Sequence, residues 1–212
     1  SLAENLPKSL IQKLQLPQKT EAIRNFHFPQ NLKQVDLALN RFKFEELFFL
    51  QLRLLYKNLV GQKKIKGRRF DHVGDLFLKF YEHHLPFDLT NAQKRVIKEI
   101  RKDLGSGIQM NRLLQGDVGS GKTMVALLSS LIAIGNQSQA AIIAPTEILA
   151  QQHYNDLAAL LSPISVNVAL LTGSTPKKER KVIFDELSSG SLNLIIGTHA
   201  LLEDTVVFKD LG

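Results

Sequence analysis

The sequence predicts an α/β domain, a parallel sheet with helices on both faces, preceded by a helical N-terminal segment. Three observations predict it. Apolar residues recur every three or four positions as far as about residue 86, and from Leu89 short apolar runs alternate with helical stretches. A glycine-rich loop then stands between one such run and the next helix. The expected domains are residues 1–86, a helical connector, and residues 87–212, the α/β lobe.

In the first part Val35, Leu39, Phe42, Phe48, Leu52, Leu55 and Leu59 keep helical spacing, and Asn31 is placed to cap the helix. A second amphipathic segment, Phe70, Val73, Phe77, Phe80 and Tyr81, runs into His83-His84-Leu85-Pro86, where proline disfavours further helix. Nine of twelve phenylalanines fall here; at helical spacing they read as packing rather than as base-stacking platforms. In the second part a helix from Thr90 to about Leu104 precedes a short strand, Arg112–Gln115, that leads into the glycine loop. A helix from Gly121 to about Ile134 follows, then strand Ala140–Ala144, helix Glu147–Leu161 and strand Val166–Leu171. Thr175 reads as the cap of a helix with Pro176 at its first position, and strand Leu192–Ile196 ends at Gly197-Thr198-His199.

Composition narrows the class. An apolar content of 44% over 212 residues is enough for a sizeable core. There is no cysteine, which excludes disulfides and thiolate metal sites and fits a reducing compartment such as the cytoplasm. No apolar run approaches the roughly 20 residues needed to cross a bilayer. The start at Ser1 and the end at Leu211-Gly212, just after an apolar stretch, give the expectation of a piece cut from a longer protein.

The net charge of +7 is unevenly placed: residues 1–86 hold 15 Lys/Arg against 8 Asp/Glu, and residues 87–212 hold 12 against 12. Lys57, Lys63, Lys64, Lys66, Arg68 and Arg69 form a run without an intervening acid. Such a run attracts nucleic acid by neutralising phosphates, and it also suits a solvated linker.

The strongest motif is Gly116-Asp117-Val118-Gly119-Ser120-Gly121-Lys122-Thr123. Between strand and helix, its glycines let backbone N–H groups curl around phosphate oxygens and the helix N-terminus adds its positive end. Lys122 is then expected to reach the β/γ-phosphates of ATP and Thr123 to ligate Mg²⁺. Hydrolysis also needs an acid at the end of an apolar strand. Val182-Ile183-Phe184-Asp185-Glu186 has that appearance, but it follows the helix start at Thr175-Pro176 and reads as a helix turn with solvated acids. Thr90-x-x-Gln93 is a capping box; the Gln93 amide also has the donor and acceptor that an adenine edge requires, and spacing alone favours the cap. Loops at Pro145-Thr146-Glu147, Thr172-Gly173-Ser174 and Gly197-Thr198-His199 close the carboxyl ends of three strands, the edge where open α/β sheets bind ligands. Their hydroxyls and backbone N–H groups suit a nucleic-acid backbone, and each is equally an ordinary helix cap. His153 and His199 lack companions at metal-ligand spacing.

Assembled, these residues resemble the RecG family of superfamily 2 DNA helicases. FDLTNAQ at Phe87–Gln93 resembles its Q-type motif, RLLQGDVGSGKT at Arg112–Thr123 motif I and APTEILAQQH at Ala144–His153 motif Ia. LLTGS at Leu170–Ser174 resembles the Ib region, and GTHALL at Gly197–Leu202 the segment before the acidic Walker B strand. Upstream, IRNFHFP and RFKFEELFFLQL resemble the connector between wedge and motor. The resemblance implies the first RecA-like lobe of a monomeric motor that remodels branched, double-stranded DNA at stalled forks and Holliday junctions. It implies adenine recognition by Gln93 with Phe87 beside it, phosphate contact by Lys122, Mg²⁺ ligation by Thr123, and DNA-backbone contacts at Thr146, Gly173 and Thr198. Walker B acids, a second lobe and a wedge would lie outside these residues, leaving an ATP site without turnover. Two rival readings are a different P-loop enzyme such as a small-molecule kinase, and a nonenzymatic module binding DNA through the run Lys57, Lys63, Lys64, Lys66, Arg68 and Arg69.

Overall fold

A computed structural model of the chain describes residues 3–64 and 66–212, without the side chains of residues 58 and 61–64. The chain forms two compact units, Ser1–Lys64 and Ile65–Gly212. The first contains α1 (Lys8–Lys13), α2 (Lys19–His27) and the 33-residue α3 (Leu32–Lys64). Asn31 caps α3 as expected, its side-chain oxygen accepting from the Gln34 N–H at 3.0 Å. Helix α2 lies against α3, with Phe26 edge-on to Phe42 at 5.8 Å between ring centroids. Arg41 on α3 is fully buried and binds Glu45 at 2.5 Å and Glu4 at 2.6 Å, which ties the segment before α1 to the long helix.

The second unit holds α4 (Asp75–His83), α5 (Asn91–Leu104), α6 (Lys122–Gly135), β1 (Ala140–Ile143), α7 (Glu147–Leu161), β2 (Val168–Leu171), α8 (Lys177–Ser189) and β3 (Leu194–Gly197). The strands form a parallel sheet in the order β1-β3-β2, with Leu194 aligned to Ala140 on one side and Val168 on the other. β3 is buried along its whole length, as a central strand between two helical layers must be. Alternation along the strands divides the core. Leu194 and Ile196 join the cluster of α4, α5, α6 and α7, while Ile195 faces Ile183 and Leu187 of α8. The parallel sheet with helices on both faces is thus as the sequence predicts.

Some elements differ from expectation. The expected division falls after residue 86, yet α4 packs on α6 within the second unit: Phe77 and Phe80 share the core with Leu127, Leu128 and Leu131. Phe70 and Val73 join that core from the loop preceding α4 rather than from the helix itself. Arg112–Gln115 is no strand: it has no ladder partner among the described residues, and Leu113 is 91% exposed. Thr175 is not a cap. Pro176 occupies the N-cap of α8, and the Thr175 hydroxyl instead accepts from the Thr172 N–H at 2.9 Å. Asp185 and Glu186 lie exposed on α8, as the helix reading requires.

A candidate nucleotide-binding site

The glycine loop is positioned by α6, a largely apolar helix whose Met124, Val125, Leu127, Leu128, Leu131 and Ile132 are buried. The loop at its head is exposed. Gly119 and Gly121 have φ of +80° and +77°, a region that side-chain-bearing residues rarely adopt. Gly121 is the N-cap of α6 and provides no side-chain acceptor for the first-turn N–H groups. The backbone N–H groups of Lys122 and Thr123 have no partner among the described residues. Two unpaired donors at the positive end of a 14-residue helix fit an anion. The Lys122 ammonium lies back over the loop, donating to the carbonyls of Gly116 and Asp117 at 2.7 Å each. Thr123 is half-buried, and its hydroxyl makes no hydrogen bond among the described residues. A nucleotide phosphate chain therefore fits the loop, and Thr123 has a hydroxyl to offer a divalent ion.

Gln93 both caps its helix and reaches the loop. Thr90 and Gln93 form the full capping box of α5: the Thr90 N–H donates to the Gln93 amide oxygen at 2.8 Å and the Gln93 N–H to the Thr90 hydroxyl at 3.2 Å. The Gln93 amide nitrogen donates to the Ser120 carbonyl at 3.0 Å. A Cβ built on Gly121 would meet that nitrogen at 2.3 Å, but the amide ends a flexible side chain that can give way, so the positive φ is what fixes Gly121. Phe87 is half exposed and lines a polar cleft of about 350 Å³ with Asp88, Leu89 and Lys94.

At the strand-end rim, Thr146 caps α7, its hydroxyl accepting from the Leu149 N–H at 3.3 Å. Glu147 crosses to the next loop and accepts from the Ser174 N–H at 3.1 Å and its hydroxyl at 2.8 Å. Gly173 is exposed beside it. Arg180 braces the same loop from below, donating to the carbonyls of Thr172 at 2.7 Å and Gly173 at 3.2 Å. Thr198 is 2% exposed, and its hydroxyl has no partner among the described residues. Of these, the linking roles of Glu147 and Arg180 escaped the sequence reading. Glu147 carried a signal as the first-turn acid of a helix; Arg180, in a charged run, carried none.

The basic run is partly committed within the second unit. Arg68 makes a two-point ion pair with the carboxylate of Asp210, and Arg69 pairs with Asp71 at 2.6 Å. These hydrogen bonds to Arg68 hold the Asp210 carboxyl below its usual range. Lys66 is exposed, while Lys63 and Lys64 lie outside the residues whose side chains are described. No helix among the described residues is long and apolar enough to cross a membrane.

The sequence pattern of the DEAD/DEAH box helicases matches residues 90–212, more than half of the chain. The ATP-dependent DNA helicase RecG of Synechocystis is 44% identical over 211 residues, covering 100% of this chain and 25% of that protein. Its namesakes in Aquifex aeolicus and Bacillus subtilis are 43% and 41% identical, with 27% and 31% of their lengths covered. A solved structure of RecG bound to a three-way DNA junction superposes with a TM-score of 0.84 at 42% identity, over 100% of this chain and 29% of that one. The chain thus spans about a quarter to a third of the length of the curated relatives it matches. On the extent of the match to residues 90–212, the chain belongs to the DEAD/DEAH box helicase family.

Proposed function

We propose that these residues are the ATP-binding lobe of a DNA helicase that remodels branched, double-stranded DNA, acting as a cytoplasmic monomer. The observation that carries the reading is the phosphate loop on the uncapped head of α6, with Lys122 and Thr123 at its mouth. Lys122 would hold the β/γ-phosphates, Thr123 would bind Mg²⁺, and Phe87 and Gln93 would hold the adenine. Bound Mg·ATP would supply the phosphoanhydride whose hydrolysis drives the motor. In this reading Gly173 and Thr146 offer exposed groups to a DNA backbone, whereas Thr198, expected to contact DNA as well, is 2% exposed and its side chain is too buried to reach one.

Hydrolysis calls for acids that the described site lacks, and the outer edge of β1 is bridged by the Asp210–Gly212 segment. There the Gln139 N–H donates to the Asp210 carbonyl at 2.7 Å and the Gly212 N–H to the Gln139 carbonyl at 2.9 Å, a parallel bridge centred on Leu211.

Calorimetry of Mg·ATP binding to the 212-residue chain, with Lys122→Ala as control, tests the site. Binding lost in the variant at an unchanged melting temperature is the expected result. An ATPase assay with forked DNA is expected to show no turnover from these residues alone. Turnover would overturn the reading of an incomplete site.

A further inference from the structure

The charges along α5 are sorted in a way that net charge does not reveal. Its two acids are engaged: Glu99 binds Arg112 at 3.0 Å and Asp103 binds the same guanidinium at 2.5 Å. The cations Arg95, Lys98, Arg101 and Lys102 are exposed and have no ion-pair partner among the described residues. They line a cleft of about 590 Å³ floored by Phe70 and Gly105. On its other wall, Asp71 is held by Arg69 at 2.6 Å. Every carboxylate at this cleft thus already has a guanidinium partner, and four cations are left over.

We propose that this cleft is a second contact surface for the phosphate backbone of duplex DNA, separate from the strand-end rim. The inference rests on the helicase reading above. At a rise of 1.5 Å per residue, Arg95 to Lys102 spans about 10.5 Å of rigid helix. At an axial rise of 3.4 Å per base pair, that row covers the length of about three base pairs of duplex. An acidic protein segment satisfies the same charges, and the helicase reading above is what favours the duplex. The basic run before the cleft contributes less, because Arg68 and Arg69 are held by Asp210 and Asp71.

The test uses the 212-residue chain and a fluorescein-labelled 20-base-pair duplex, read by anisotropy over a range of salt concentrations. One variant carries Arg95→Gln, Lys98→Gln and Lys102→Gln; a control with equal charge loss carries Lys177→Gln, Lys178→Gln and Lys181→Gln on α8. A charge-keeping variant, Arg95→Lys with Arg101→Lys, checks that the surface itself is intact. The α5 variant is expected to weaken binding about tenfold and to flatten the dependence of log Kd on log salt by about 2.7. The α8 and charge-keeping variants are expected to stay near the parent. Equal binding by parent and α5 variant overturns this proposal alone, whereas no duplex binding by the parent overturns the helicase reading beneath it. A 20-residue polyglutamate bound by the parent and lost in the α5 variant, with duplex binding unchanged, assigns the cleft to an acidic protein segment and also overturns the proposal.

Discussion

Gln93 shows how one side chain can serve fold and site together. Its carbonyl oxygen takes the Thr90 N–H and its amide nitrogen holds the Ser120 carbonyl, so the start of α5 and the phosphate loop share a residue. Gln93→Ala is expected to cost about 1 kcal/mol of stability through the lost cap, measured by chemical denaturation. Gln93→Glu keeps the acceptor and loses the donor, so it is expected to retain most of that stability while weakening Mg·ATP binding. Gly121→Ala is strained by the positive φ and pushes the Gln93 amide from its place beside the loop, and is expected to weaken nucleotide binding in the same calorimetric assay. The capping box was legible from Thr90 and Gln93 alone because it is local in sequence. The link to Ser120 was not, since 27 residues separate donor and acceptor and no spacing rule connects them.

Among the elements, α3 depends on a polar lock as well as on apolar packing. Arg41 is buried between Glu45, four residues on, and Glu4, near the other end of the unit. Partial burial opposes ionisation of both glutamates. Hydrogen bonds outweigh it, to Glu4 from the N–H groups of Leu6 and Lys19 and to Glu45 from Asn5 and Lys19, together with the charge of Arg41. Both carboxyls therefore titrate below their ordinary value of 4.5. The resulting stability is fully present above that value and is lost as pH falls through the lower folded values. Acid titration of the first unit, followed by far-ultraviolet circular dichroism, is expected to show this loss below about pH 4. Arg41→Ala is expected to cost about 3 kcal/mol at neutral pH and to reduce the acid sensitivity only in part, since the hydrogen bonds from Leu6, Lys19 and Asn5 to the two carboxylates remain. Strand and helix limits in the second unit were readable where propensity and packing agree, as in α7, expected and found at Glu147–Leu161. They failed at Arg112–Gln115, because a strand is defined by its neighbour and local sequence does not state whether a neighbour is present.

For the whole molecule, the class of fold was legible because β3 reads as an unbroken apolar run and β1 and β2 carry the same alternating faces. The assignment of α4 was hidden, since Pro86 signals a helix end and says nothing about which core the helix joins. The second unit is closed by residues far apart in sequence: Arg68 pairs with Asp210, and the Asp210 N–H donates to the Gln139 side chain at 3.0 Å. Asp210→Asn is expected to speed amide hydrogen exchange at Gln139 and Gly212 while leaving the α7 amides protected. Arg68 and Asp210 are 142 positions apart. At about 5–20 residues per second, the ribosome makes the guanidinium roughly 7 to 28 s before the carboxylate that receives it. During that interval the lobe has a beginning without a clasp, and a nascent chain halted short of Asp210 is expected to be cut readily by protease near Arg68.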